Sequence, residues 1–281
     1  MHELIIEPGR AEKNYWRDLW RYRELFYFLA WRDILVRYKQ TVIGIAWALI
    51  RPFLTVVVFT FFAKMVGTNI PKDVPAPLFV FAAVLPWTFF STAMSESSNS
   101  LIGNANLISK IYFPRLIVPA GSVITSFVDF LITLAMLALL MLGYTFVPDW
   151  RLLTLPLFIA LAFCASFGIG LWFCALNVEY RDFRYIVPFI TQFGLYVSPI
   201  AIGTSKVPVT WHWHGLAIPA RMLFSLNPMV GVIDGFRWAF LRGETLFWWP
   251  SILTSIVLTF ILCLSGIWYF RKMERTFADV I

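Results

Sequence analysis

Residues 116–142 read Leu116-Ile-Val-Pro-Ala-Gly-Ser-Val-Ile-Thr-Ser-Phe-Val-Asp-Phe-Leu-Ile-Thr-Leu-Ala-Met-Leu-Ala-Leu-Leu-Met-Leu142, with Asp129 the one charge among them. A helix rises about 1.5 Å per residue and the hydrocarbon layer is about 30 Å thick, so a crossing needs about 20 mostly apolar residues. This stretch is long enough to span a bilayer. Five others share its character: about Ile43 to Val66, broken early by Arg51 and Pro52, then about Pro77 to Met94, Leu152 to Leu176, Tyr185 to Ile202 and Trp249 to Phe270. The whole chain agrees with them, because 59% of its 281 residues are hydrophobic and only 14% charged, against roughly 25% charged in soluble domains. The reading is a single all-α membrane domain of six transmembrane helices over residues 1–281, with a six-span core at 43–270. So few polar side chains favour a path through the membrane over a reaction chamber.

The stretch from Ile218 to Leu241 is also apolar, but Arg221, Asp234, Arg237, Pro219 and Pro228 argue against a plain seventh span. It reads as re-entrant or surface-lying helices on the outer side before the last span, where protein or water can satisfy a broken backbone. Asp234 and Arg237, at i and i+3, are expected to pair. Orientation follows the basic residues. With the N-terminus inside, sixteen of the 23 lysines and arginines fall in the inner segments, so both termini are expected to be cytoplasmic, residues 271–281 forming an inner tail. The net charge of +7 then reflects topology and anionic lipid, and a nucleic-acid partner is not expected. No cleavable signal peptide is expected, since the first 40 residues are rich in charge. Cys164, Cys174 and Cys263 fall inside spans and suggest no disulfide framework.

Before the first span, apolar residues recur at helical spacing from Trp16 to Leu35, interleaved with Arg17, Arg21, Arg23, Arg32, Arg37 and Lys39. This predicts an amphipathic helix over 14–40 in the cytoplasmic interface, rings at headgroup depth and basic face toward phosphates. It is either a topology anchor or a collar at the mouth of a path. The inner loop Asn104-Ala-Asn-Leu-Ile-Ser-Lys-Ile-Tyr-Phe-Pro-Arg115 is a short helical piece stopped by Pro114. Leu107, Ile108, Ile111, Tyr112 and Phe113 would face the cytosol or a docking protein, or else be buried against the chain's own interface helix. The inner loop Glu179–Arg184 would meet a partner or the interface helix, or simply be solvated.

Asp129 sits deep in a span, where a carboxylate is costly. Ser126 and Thr133 could donate to it, with Arg51 and Glu96 as candidate partners, which favours a structural hydrogen-bonded role over proton coupling. Ala162, Ser166, Gly170 and Cys174 recur every fourth residue and predict a small-residue packing face. His212 and His214, in Trp211-His-Trp-His-Gly215, lack the acid or thiol that would complete a metal site; Trp211 and Trp213 read as interfacial anchors. With His2 the remaining histidine, no catalytic constellation stands out, and no G-x-x-x-x-G-K-[ST] loop binds a nucleotide.

Three runs carry a family resemblance. Trp31-Arg-Asp-Ile-Leu-Val-Arg-Tyr-Lys-Gln-Thr-Val-Ile-Gly-Ile-Ala-Trp-Ala-Leu-Ile-Arg-Pro52 resembles the approach to the first span of the ABC type 2 permeases that export bacterial cell-surface polysaccharides. Leu107-Ile-Ser-Lys-Ile-Tyr-Phe-Pro-Arg115 resembles that family's coupling helix, and Leu226-Asn-Pro-Met-Val-Gly-Val-Ile-Asp-Gly-Phe-Arg237 its outer segment before the last span. The resemblance covers about residues 16 to 275. It implies a homodimer of the permease in the bacterial inner membrane, with two copies of a separate ATPase that binds ATP and Mg and docks on the coupling helices, and a lipid-linked glycan such as O-antigen as cargo. It assigns coupling to Leu107, Ile108, Lys110, Ile111, Tyr112, Phe113, Pro114 and Arg115. It assigns a cytoplasmic entrance to Trp31, Arg32, Arg37, Tyr38, Lys39 and Arg51, and an outer gate to Asn227, Pro228, Asp234 and Arg237. The family's use of its first and fifth spans puts Trp47, Phe59, Phe62, Phe189, Phe193 and Tyr196 on the translocation path, where aromatic faces hold sugar rings with few fixed hydrogen bonds. A drug or small-lipid exporter of the same fold is the alternative, and a self-powered carrier or membrane enzyme a more distant one.

Overall fold

The computed structural model describes residues 15–39, 44–180, 182–213 and 216–277, and not the side chains of residues 44, 45, 47 and 48. Eleven helices and one small hairpin succeed one another there: α1 (Tyr15–Arg21), α2 (Arg23–Lys39), α3 (Gly44–Met65), α4 (Ala76–Gly103), α5 (Ala105–Ile108), α6 (Ile117–Gly143), α7 (Leu155–Glu179), α8 (Phe183–Val197), β1 (Trp211–Trp213), β2 (Leu216–Ile218), α9 (Ala220–Phe224), α10 (Pro228–Phe240) and α11 (Trp249–Met273). Among the described residues, four helical stretches are long and apolar enough to cross a membrane: α4, α6, Trp150–Glu179 and α11. The chain is a mostly helical, multi-pass membrane protein. At fifteen residues, α8 would cover only about 22 Å. It stops because Pro199 follows Ser198, whose backbone is extended as residues before proline tend to be.

The hub is α4. Its run from Leu78 to Trp87 is buried throughout, because α3, α6, α7, α8 and α10 all pack on it. Helices in lipid gain no hydrophobic drive from meeting each other, so close approach depends on small residues. The expected face of α7 does this work against α4: Ala162, Ser166, Gly170 and Cys174 are buried, a Cβ on Gly170 would sit 2.8 Å from Ser97 Oγ, and Cys174 Sγ lies 3.7 Å from Ser100 Oγ. A second seam was not anticipated. Gly168 of α7 is so close to α11 that an added Cβ would lie 2.6 Å from the Cys263 Cα, and Gly266 of α11 abuts the Gly168 backbone in return.

Two expectations are corrected. The second apolar helix does not end near Met94 but runs to Gly103, so Glu96 lies within α4 and the inner loop is shorter. Just before the outer segment, Trp211–Trp213 pairs antiparallel with Leu216–Ile218, His212 opposite Ala217; the turn, with His214, lies outside the described residues, as do His2 and the last four residues of the inner tail. The outer segment itself is helical over α9 and α10, and of its two expected placements the surface-lying one fails. Eleven of the thirteen α10 residues are buried, where the helix fits between α11, α4 and α7. Gly235 allows this fit, since a Cβ there would collide with the Phe158 ring.

Candidate substrate path and coupling surface

The second half of α2 runs alongside α6. Ala30 backbone contacts the space beside Gly121, and Tyr38 hydrogen-bonds Asp129; those contacts are eight residues apart on both helices, so the two share a direction. α2 therefore packs along α6 in the same sense. Its end reaches Asp129, about 18 Å along α6 from Ile117 at 1.5 Å per residue. There Arg37 forks between two carboxylates, Nη1 donating to Asp129 Oδ2 at 2.6 Å and Nη2 to Glu96 Oε1 at 2.5 Å, while the Tyr38 hydroxyl donates to the other Asp129 oxygen. Charge-assisted bonds of this kind are the strong ones, and they tie α2 to α4 and α6 together. Burial, then the Asp129 carboxylate, pushes the Tyr38 hydroxyl well above its ordinary pKa, so it stays a donor at every physiological pH.

This corrects the partners expected for Asp129. Its cation is Arg37, not Arg51, which lines the same cavity of about 410 Å³ with Thr55, Thr88, Thr92 and Thr133. Ser126 and Thr133 do not donate to the carboxylate; they bond back to the Ser122 and Asp129 carbonyls of their own helix, as short hydroxyl side chains in helices often do. The other entrance residues scatter. Arg32 joins Asp33 at 2.7 Å and reaches Asn104 Oδ1 at 2.8 Å, at the start of the inner loop. Trp31 is exposed and stacks on Tyr27, and Lys39 is exposed.

The coupling residues divide into two sets. Ile111 and Tyr112 are 52% and 53% exposed, whereas Ile108 and Phe113 are 6% and 4%. The two expected outcomes are shared among the five apolar residues, since Ile108 and Phe113 fill an inner core with Tyr15, Leu116, Leu171, Phe270 and Phe277. Leu107 packs at its margin, Lys110 is exposed, and Pro114 is buried. Arg115 locks the loop's end to the tail: its N–H donates to Glu274 Oε1 at 2.7 Å and its guanidinium to the Glu274 carbonyl at 2.5 Å. Burial is the main reason the Glu274 carboxyl titrates above its ordinary value. Sequence reasoning missed Glu274, since nothing in its local spacing points 159 residues back to Arg115.

Of the expected path residues, the structure brings two pairs together. Phe59 meets Tyr196 at a ring-centroid distance of 6.2 Å. Phe189 and Phe193 stack at 5.8 Å and line an almost wholly apolar groove of about 620 Å³ with Trp87, Phe90, Trp172 and Phe173. The α8 face is open, with Phe189 66% and Tyr196 70% exposed. Phe62 is exposed apart from these rings, and the Trp47 side chain lies outside the described residues.

At the outer end, Asn227 caps α10, its Oδ1 accepting the Met229 N–H at 3.0 Å with Pro228 in the first turn, as helix starts favour. Its amide also donates to Ser198 Oγ at 3.0 Å, joining α10 to the end of α8. Asp234 and Arg237 make no ion pair with each other. Asp234 accepts from Thr204 Oγ1 at 2.9 Å, and Arg237 donates to the carbonyls of Phe79 and Ile200 at 3.1 and 2.5 Å, its guanidinium 3.9 Å over the Phe79 ring. Two backbone carbonyls, of Ile200 in the turn after α8 and of Phe79 in the first turn of α4, take the Arg237 guanidinium instead.

Residues 24–241 match the family described as ABC-2 type transporter. The chain belongs to that family. Among curated proteins, this ABC-2 transporter is similar to an O-antigen export system permease protein of Klebsiella pneumoniae, 28% identical over 89% of this chain and 92% of the relative. It is also similar to one of Myxococcus xanthus, 26% identical over 79% of this chain and 82% of the relative. A polysialic acid transport protein of Escherichia coli is 23% identical over 75% of this chain and 79% of the relative. The match takes in the Arg37–Glu96–Asp129 network, the coupling loop and α10, while Glu274 lies beyond its C-terminal limit.

Proposed function

We propose that this chain is the permease subunit of an ATP-driven exporter that carries lipid-linked cell-surface polysaccharide, O-antigen foremost, across the bacterial inner membrane. The observation that carries the reading is near-full-length similarity to O-antigen export permeases of two organisms. In it α3 and α8 complete six crossings, α1 and α2 form the inner collar with α10 beside the outer exit, and both termini are cytoplasmic. The working unit is a homodimer with two ATPase subunits that hold ATP and Mg. The exposed α8 face and the Phe59–Tyr196 pair support a path between α3 and α8, its rings offering sugars broad contact and few directional bonds. The exposed Ile111 and Tyr112 support docking of the ATPase at the inner loop, since an apolar pair outside the lipid favours a protein partner.

Deleting the gene and measuring surface glycan alongside the intracellular lipid-linked pool tests the reading. Loss of surface polymer with accumulation of finished glycan inside is expected. Normal surface display would overturn it.

A further inference from the structure

Three buried polar atoms without a partner converge on one small cavity at the outer end of the molecule. They are Asp234 Oδ2, Arg237 Nη1 and Thr245 Oγ1, and all three residues line a cavity of about 120 Å³ with Asn69, Ser205 and Glu244. Asp234 and Arg237 are 4% and 1% exposed, so bulk water does not reach them freely, and leaving a buried charged group without its bond is costly. Two such charges beside an unpaired hydroxyl mark a place built to be filled. Gly203 keeps it open. A Cβ there would stand 3.9 Å from Arg237 Nη1 and 3.3 Å from the Phe79 ring.

The chemistry of the lining narrows the occupant. A phosphate or carboxylate would meet Arg237 but also Asp234 and Glu244. A cation would meet those acids but also the guanidinium. A neutral hydroxyl donates and accepts through the same atom, so neighbouring hydroxyls can give a proton to Asp234 Oδ2 while receiving one from Arg237 Nη1. At about 30 Å³ per water, the volume equals about four waters, or the edge of one sugar ring. The cavity also borders the Gly203–Ser205 turn that follows α8, whose exposed aromatic face is the proposed path.

We infer that this cavity is a saccharide subsite, in which the hydroxyl edge of a single sugar unit replaces ordered water between Asp234, Arg237 and Thr245. The inference rests on the export reading, for it supplies a contact that a glycan unit meets on leaving the path along α8.

The test is saturation-transfer NMR on the permease with its ATPase in lipid nanodiscs, using methyl α-D-mannoside, methyl α-D-galactoside and N-acetylglucosamine at millimolar concentration as probes. Transfer to ring protons of at least one sugar is expected. Thr245→Val, which removes one hydroxyl at nearly constant volume, weakens that sugar's binding about fivefold, and Gly203→Ala abolishes the signal while ATPase activity and the gel-filtration profile stay native. Absence of transfer from all three sugars, or equal transfer in the wild type and both variants, would overturn the inference and leave the cavity to water. Its failure is separable from that of the export reading: gene deletion reports on export whether or not the sugars bind, and the NMR signal reports on the cavity whatever deletion does.

Discussion

Phe113→Ala and Tyr112→Ala are neighbouring truncations with opposite expected consequences. Phe113 is 4% exposed in the inner core formed with Tyr15, Leu116, Leu171, Phe270 and Phe277. A buried aromatic covers at least about 150 Å², which at about 25 cal/mol per Å² is worth about 4 kcal/mol, inside the range of about 3–5 kcal/mol for such truncations. At about 2–4 °C per kcal/mol for a chain of this size, the melting midpoint of the purified permease should fall by about 10 °C. Tyr112, more than half exposed, buries far less surface than Phe113, and its truncation should leave the midpoint within about 2 °C. If the exposed pair docks the ATPase, however, losing one aromatic anchor should cut ATPase recovery on co-purification about tenfold. Fluorescence-monitored thermal gel filtration measures the first effect and quantitative affinity capture the second. A stable Phe113→Ala chain that loses its ATPase, or a Tyr112→Ala chain that melts early and keeps it, would refute the division of the loop into an inward and an outward set.

Three further outcomes follow from the same geometry. In a double-mutant cycle, Arg37→Ala and Asp129→Asn should be non-additive by about 1–2 kcal/mol, the part-exposed pair lying between surface and buried values; additive melting shifts would dissociate the collar from α6. Because burial holds the Glu274 carboxyl above its unfolded pKa, the folded state binds the extra proton: its contribution is fully present below the unfolded pKa and declines as pH rises through the folded one. Thermal midpoints of wild type should therefore drop with rising pH across that window more steeply than those of Glu274→Gln, and parallel curves would remove Glu274 as the cause. Gly168→Val should prise α7 from α11 and cost about 1–3 kcal/mol by overpacking, visible as early melting; an unchanged midpoint would deny the close seam.

Most of the spanning architecture was legible because lipid imposes length and polarity on any crossing helix. The stretch Leu116–Leu142 corresponds to α6, Leu152–Leu176 to α7 and Trp249–Phe270 to α11, each to within a few residues. The errors share a cause. Hydropathy ends a segment at Met94, where serines and charge begin, yet α4 continues because Ser98, Asn99 and Ser100 donate to the Ser95 and Ser97 carbonyls of their own helix and Asn99 accepts from Asn177 of α7. Conversely, α10 contains a carboxylate and a guanidinium that hydropathy counts as surface, and both are buried where the Thr204 hydroxyl and the Phe79 and Ile200 carbonyls meet them.

The site was less legible than the fold, and Asp129 illustrates the reason. Within a helix, i±3 and i±4 are the only partners that periodicity can name, and for Asp129 these include Ser126 and Thr133. Its actual partners, Arg37 and Tyr38, come from a helix read as lying on the membrane, 92 and 91 residues away. Glu274 and Arg115, and Arg237 with Phe79 and Ile200, repeat the pattern. In each case a charge in a low-dielectric place meets a donor or carbonyl from a distant part of the chain, at the end of α2, just past α11, in the turn after α8 or in the first turn of α4. A polar group within a span is thus better matched by asking which helices must stop near its depth than by scanning its own face. For a transporter this has a mechanical consequence: the bonds that settle the charges are the same bonds that fasten the ends of the helices, so any movement of α2 or α8 against its neighbours requires breaking them.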